Sequence, residues 1–337
     1  MVIHGERPFI QALIDGHPTL FIVDTGVLTT IVDTGALDAS DASTVSLQIG
    51  DLRLPKLPVV QAPVRSYAET YLGQAADGII GRDLLGRYPV LLDFPNRMMT
   101  IFRDSKSAAG TQGAGTVSLA LRVIDGQPAV AGSLDGQPAR WFSLRTGAGS
   151  QAQLTLSQER PSNQNHGERS LPYQEATAQG NVFGLLVRAH SLAIGSLNFS
   201  QPLVALLGTT QGGASELAGA FGAMMLSRLS LLIDETSSTA AIVAPPGSTD
   251  ALLYDPSGIT LEMRRETIMV RAVVPGAPAD LAHIRPGDEI VSIDGLAPAT
   301  LDFARQLLDG KPGQKVQIAY RRWHLVHTAT LTLHVII

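Results

Sequence analysis

The sequence predicts a mainly β protein made of two copies of one strand-rich unit, followed by a third and smaller unit. Composition is the first observation: 45% of residues are apolar and 16% charged, with 33 Gly and 20 Pro, which suits short strands and tight turns better than long amphipathic helices. The second is an internal repeat, in which three stretches recur in the same order in two parts of the chain. The third is length, since 337 residues accommodate two or three units of about 100 to 150 residues each.

The first repeated stretch is PFIQALIDGHPTLFIVDTG at 8–26, echoed by PAVAGSLDGQPARWFSLRTG at 128–147. Each copy reads as an apolar strand, an Asp-Gly turn (Asp15-Gly16, Asp135-Gly136), a second strand and a Thr-Gly turn, which is the pattern of a hairpin leading into a tight turn. TVSLQIGDLRLPKLPVV at 44–60 is echoed by HSLAIGSLNFSQPLVAL at 190–206, and GIIGRDLLGRYPVLLDF at 78–94 by GAFGAMMLSRLSLLIDE at 219–235. The stretches SKSAAGTQGAG at 105–115 and APPGSTD at 244–250 are small, polar and rich in Gly or Pro, as separators are. The resulting division is a first unit at 1–104, a linker at 105–116, a second unit at 117–244 and a third at 250–337.

The chemistry centres on FIVDTG at 21–26, where apolar strand residues deliver Asp24 to a Thr-Gly turn. With the hairpin before it and GIIG at 78–81 followed by LLDF at 91–94, this motif resembles the active-site loop of the retropepsin and pepsin families of aspartic peptidases. The resemblance implies two tandem retropepsin-like β-barrel lobes, the bilobal acid-protease fold. In such enzymes two loops face each other, and their aspartates share one proton and position a water for attack on a peptide carbonyl. Like charges about 3 Å apart cannot both ionise, so one carboxyl serves as acid and the other as base. The resemblance makes Asp24, Thr25 and Gly26 the catalytic loop: Asp24 is the acid–base residue, Thr25 bonds across the pair, and Gly26 lets the two backbones approach. A second DTG, at Asp33, Thr34 and Gly35, lacks the preceding hairpin, so Asp33 reads as a turn residue. Asp83, Asp93 and Asp234, near predicted strand ends, read as solvated carboxylates.

Two departures from the family pattern stand out. The position equivalent to Asp24 in the second copy is Arg145, followed by Thr146 and Gly147. An arginine cannot act as a base, and it is expected to pair with Asp24 and hold it ionised. The second concerns the flap that closes over substrate in the family: Ile49 follows Asp24 by 25 positions, whereas Ile194 follows Arg145 by 49. The first copy therefore lacks a flap-sized insert, and QGNVFG at 179–184 is the candidate flap tip of the second. Two functions follow: an aspartic endopeptidase impaired at Arg145, or an inactive relative that binds peptides. The first needs a second carboxylate, from another chain's Asp24 in a homodimer or from a residue near Arg145. Glu159 and Glu168, in the polar loop 157–170, have nothing in the sequence that brings them there.

The last stretch holds GITLEM at 258–263, VRAVVPGAPADLAHIRPGDEIVSIDG at 270–295 and a helical LDFARQLLDG at 301–310. It resembles a PDZ domain. The resemblance places Gly258, Ile259, Thr260 and Leu261 in the carboxylate-binding loop, where backbone N–H groups receive a peptide's C-terminus and the peptide adds as a strand. Pro278 and Ala279 open a short helix, while Gly287, Asp288 and Gly295 mark turns. The expected partner is therefore a protein or peptide.

Other classes are disfavoured. A net charge of −5 with no basic block gives no footprint for nucleic acid. No segment approaches the roughly 18 uninterrupted apolar residues of a membrane span, and the N-terminal residues read as strand rather than signal peptide. Zero cysteines exclude disulfides and thiol catalysis but leave the redox compartment open. The eight His form no HExxH pattern, so no metal or cofactor is expected. Proteins of this architecture are mostly exported, so the resemblance suggests a periplasmic or envelope location.

Overall fold

The computed structural model describes residues 1–36, 43–111, 113, 115–156, 170–178, 180–208, 215–252 and 254–337. It is mainly β, and the chain divides into two compact units: Met1–Arg65 with Ala76–Ala251, and Ser66–Ala75 with Leu252–Ile337. Glu159, Glu168 and almost all of the polar loop around them lie outside the described residues, as does Gln179 of the predicted flap tip.

In the first unit the repeat is visible as topology. The strand Arg7–Ile14 pairs antiparallel with His17–Val23, with Ile14 opposite His17, across a turn in which Asp15 and Gly16 have φ of 50° and 87°. Asp-Gly supplies this two-residue hairpin turn because both central positions need positive φ. Asp135 and Gly136, at 50° and 71°, join Gln127–Leu134 to Arg140–Arg145. Each turn aspartate then caps a neighbouring strand: Asp15 accepts from Ser46 N at 2.9 Å, and Asp135 accepts from Ser191 N at 2.8 Å. In both copies the second hairpin strand continues into a parallel pair, His17–Val23 with Gly78–Ile80 and Arg140–Arg145 with Leu217–Gly222; Phe21 stands opposite Gly78, and Phe142 opposite Gly219.

The copies differ where the spacing differed. Beyond Arg145 the second copy adds the strand Ala152–Leu156 and a hairpin of Ser170–Thr177 with Gly180–Arg188, so residues 180–184 of QGNVFG begin one arm of a hairpin. Between Asp24 and the strand Thr44–Ile49 the first copy has only Ile31–Asp33 among the described residues. The two copies are stitched together by a five-stranded sheet in which Val90–Asp93 pairs antiparallel with Ser230–Asp234. One apolar core containing Phe21, Val23, Leu84, Leu92, Leu144, Phe221 and Leu231 spans both copies.

The second unit is a five-stranded antiparallel sheet in the order Ile259–Arg264, Thr267–Val273, Glu289–Ile293, Lys315–Arg322, Leu325–Thr332. Helices Pro278–Leu281 and Leu301–Leu308 pack on it, and Leu261, Val270, Ile290, Leu301, Ala304 and Ile318 form its own core. Thr300 caps the longer helix by accepting from Phe303 N at 3.2 Å, which satisfies one orphan donor of the first turn.

Candidate functional site

In the first unit the strand His17–Val23 ends by delivering Asp24, whose N–H donates to Ile80 O at 3.1 Å. Asp24 is 8% exposed, and its Oδ1 accepts from Gly26 N at 2.8 Å and Gly147 N at 3.2 Å. The two loops are locked by their threonines. Thr25 Oγ1 donates to Leu144 O at 2.5 Å and Thr146 Oγ1 to Val23 O at 2.7 Å. Each hydroxyl also accepts the other's backbone N–H at 3.2 Å. Both threonines are buried, so these four bonds form away from competing water.

The glycines of the two loops make room for the opposite loop's side chain. A β-carbon on Gly147 would stand 1.9 Å from Asp24 Oδ2, and one on Gly26 would stand 2.6 Å from Arg145 Nε. Arg145 thus sits over Gly26, across the loop pair from Asp24. The expected ion pair does not form: among the described residues no salt bridge joins Arg145 to Asp24, and Arg145 Nε is buried without a hydrogen-bond partner. The threonine bonds set this outcome, because they hold Arg145 against the Gly26 backbone while Asp24 is already satisfied by two amides.

A group that no sequence motif marks lies beside this loop. Glu175, 7% exposed, accepts from Gln153 Nε2 at 3.0 Å, Tyr173 OH at 2.7 Å, Arg7 Nη2 at 2.9 Å and Gly149 N. Arg7 Nε also donates to Gly147 O at 3.2 Å. Burial, and then the Glu175 carboxylate beside it, push the Tyr173 phenol well above its usual range. Glu175 and Asp24 are therefore held by amides two residues apart in one loop, but Glu175 is committed to Arg7. Alternation along Ser170–Thr177 would mark Glu175 only as an inward position of a strand.

The other aspartates are structural caps. Asp33 is 5% exposed and accepts from Gly35 N at 2.9 Å and Arg65 N at 2.7 Å. Asp83 accepts from Thr30 N and Oγ1 at 2.9 and 2.7 Å. The expectation that Asp234 is solvated is corrected: it is 2% exposed, and its carboxylate is consumed by Thr236 and Ser237. Asp93 accepts from Ser230 Oγ at 2.8 Å. No cluster of three or more His, Cys, Asp and Glu residues fit to hold a metal occurs among the described residues, and no helix there is long and apolar enough to cross a membrane.

In the second unit Gly258, with φ of 73°, opens the strand Ile259–Arg264. A β-carbon there would lie 2.4 Å from that of Ala277, so glycine is required by both conformation and space. The loop is tied to itself: Gly258 N donates to Asp255 O at 3.1 Å, Ile259 N to Ser257 Oγ at 3.2 Å, and Ser257 N and Oγ to Asp255 Oδ1 at 3.0 and 2.5 Å. Thr260 and Leu261 lie at a register shift against Thr267–Val273. The strand is the edge of its sheet, and the helix Leu301–Leu308 packs beside it.

A PDZ family model matches residues 258–333. Residues 258–333 are a PDZ domain. Two solved structures are each similar to about a quarter of the chain. One is a photosystem II D1 C-terminal processing protease, 26% identical over 24% of this chain and 23% of that one, with a TM-score of 0.24. The other is the PDZ domain of a carboxy-terminal protease from Vibrio cholerae in complex with peptide, 25% identical over 23% of this chain and 90% of that one, with a TM-score of 0.21. An aspartic proteinase from Irpex lacteus is similar over 72% of this chain and 95% of its own, at 12% identity and a TM-score of 0.43. No curated protein matches the sequence.

Proposed function

We propose that the chain is a peptide-binding relative of the aspartic peptidases, with residues 1–104 and 117–244 as retropepsin-like lobes, and that it lacks a working dyad within one chain. The observation that carries this is Arg145. The reciprocal threonine bonds and the close glycines support reading Arg145 as the counterpart of Asp24. A proton-sharing dyad needs two carboxyls. Asp24 alone can accept a proton from water, but the opposite loop offers no acid to protonate the substrate carbonyl or the leaving amine. The nearby Glu175 is held by Arg7, Tyr173 and Gln153, which commits it to a structural role.

The PDZ domain supplies the binding function. In this reading the loop at Gly258, Ile259, Thr260 and Leu261 receives a peptide's carboxylate and the edge strand Ile259–Arg264 takes the peptide as an added strand. A C-terminal peptide library screened against the full chain tests this. Binding that falls at least about tenfold when a peptide's terminus is amidated supports the reading. A library without binders, or affinities indifferent to amidation, contradicts it.

A further inference from the structure

The compact unit that holds the PDZ domain includes ten residues from far away in sequence, Ser66–Ala75. They lie in sequence between the first lobe's strands Val60–Ala62 and Gly78–Ile80. Their central turn, Ala68–Leu72, packs against the edge strand Ile259–Arg264. The same segment touches the helix that forms the other wall of the groove. Arg305 Nη2 donates to Tyr71 O at 2.9 Å, and a β-carbon on Gly73 would stand 3.0 Å from that of Leu301. Leu301 and Arg305 are one helical turn apart and share a face. The Arg271 guanidinium stacks 4.7 Å from the centre of the Tyr71 ring, and Ala68 and Leu72 are buried, at 0% and 2% exposure.

An edge strand with one hydrogen-bonded neighbour is normally open on its outer side. Here Leu261 faces the domain's own core, and Glu262, outside that core, is still only 4% exposed. The loop before it is also closed on itself through Asp255 and Ser257. We propose that Ser66–Ala75 is a built-in occupant of the PDZ groove, so that an incoming peptide binds only by displacing it. The inference rests on the peptide-binding reading of that groove. It makes the domain self-inhibited: apparent affinity for a peptide is reduced by the fraction of molecules whose groove is open. Both ends of the segment continue into the first lobe, the latter directly into the Gly78–Ile80 strand that pairs with the strand carrying Asp24. Peptide capture would therefore release Ser66–Ala75, whose sequence neighbours on both sides belong to the first unit.

Hydrogen exchange on the full chain tests the proposal. In one variant residues 66–75 are replaced by a Gly/Ser chain of equal length; in a second, Arg305→Ala removes the bond to Tyr71 together with an exposed pair to Asp302. The replacement is expected to speed exchange of the Ile259–Arg264 amides by about tenfold or more, because local opening then costs less. Lys315–Arg322 should stay protected, and an acetylated, amidated SYAETYLGQA peptide should restore protection. Arg305→Ala should show a smaller change in the same direction. Unchanged exchange at Ile259–Arg264 would overturn the proposal. So would loss of protection across the whole sheet, which would make the segment part of the domain's fold rather than a displaceable occupant. If the strand opens but no C-terminal peptide binds the replacement variant, the occupant stands and the peptide-capture reading falls.

Discussion

Gly147 has no room for a side chain because Asp24 is already there: a β-carbon on Gly147 would lie 1.9 Å from Asp24 Oδ2, inside any bonding-free distance. Two loops from separate copies of a repeat are thus fitted to each other at the level of single atoms, and Gly26 does the same for Arg145. Gly147→Ala is expected to cost about 1–3 kcal/mol, the usual range for overpacking. Adding Asp24→Ala should return part of that loss, because it removes the clashing oxygen. Urea unfolding of the two single variants and the double variant measures this; equal and additive losses would mean that the clash is relieved elsewhere.

Thr25 and Thr146 should behave as one unit. Each hydroxyl donates to a carbonyl and accepts an amide of the opposite loop, so Thr25→Val leaves two buried backbone groups without a partner, at about 1–3 kcal/mol for each unmet group. Thr146→Val should cost a similar amount, and the double variant less than the sum. Additive losses in a double-mutant cycle would show that the loops do not couple.

Glu175→Gln should be among the more damaging polar substitutions in the first unit. Arg7 and Glu175 have side chains only 11% and 6% exposed. Neutralising one partner leaves a buried charge uncompensated, which costs about 3–5 kcal/mol. Replacing both, as Arg7→Met with Glu175→Gln, should be better tolerated than Glu175→Gln alone. Thermal unfolding distinguishes the two outcomes.

The PDZ domain should carry a pH signature from Asp255. Desolvation raises its carboxyl above the usual carboxylate value, against the opposing hydrogen bonds from Ser257 and the amides of Gly258 and Ile259. Burial, and then the nearby Asp255, likewise push Tyr254 up to about 12. With the folded-state value raised, the folded form holds its proton more tightly than the unfolded chain. Its contribution to stability is therefore fully present below the ordinary carboxylate pKa and is lost as pH rises through the raised value. Denaturant midpoints measured over this acidic window should fall with rising pH in the wild type relative to Asp255→Asn. A wild-type profile parallel to that of Asp255→Asn would contradict the assignment.

The β class and the PDZ domain were legible because their signals are local. Asp15-Gly16 and Asp135-Gly136 announce hairpins, and Gly258 through Leu261 carry the start of the PDZ strand. Asp24, Thr25 and their proposed repeat partners are picked out by the alignment that the repeat supplies. What the sequence concealed depends on long-range geometry. The absence of an ion pair at Arg145 follows from where two distant threonines hold the loops. Asp234 reads as a solvated strand-end acid, yet it is buried by hydroxyls that fold back on it. Glu175 meets Arg7 across most of the first unit, and Ser66–Ala75 meets the PDZ strand from nearly 200 residues away; neither contact leaves a periodic trace.

The central claim is that Arg145 removes one of two carboxyls from an otherwise assembled pair of loops. The most direct measurement is peptide hydrolysis between pH 3 and 7 by the wild type, Arg145→Asp, and Arg145→Asp with Asp24→Asn, each with and without a statine-type transition-state analogue. A positioned acid or base is worth about 10²- to 10⁴-fold in rate. The wild type should therefore be inert or nearly so, and Arg145→Asp should gain at least about 10²-fold in an acid-pH activity that the analogue inhibits and Asp24→Asn abolishes. Ready cleavage by the wild type, lost in Asp24→Asn and rising steeply with protein concentration, would contradict the account and point to a dyad assembled from two chains.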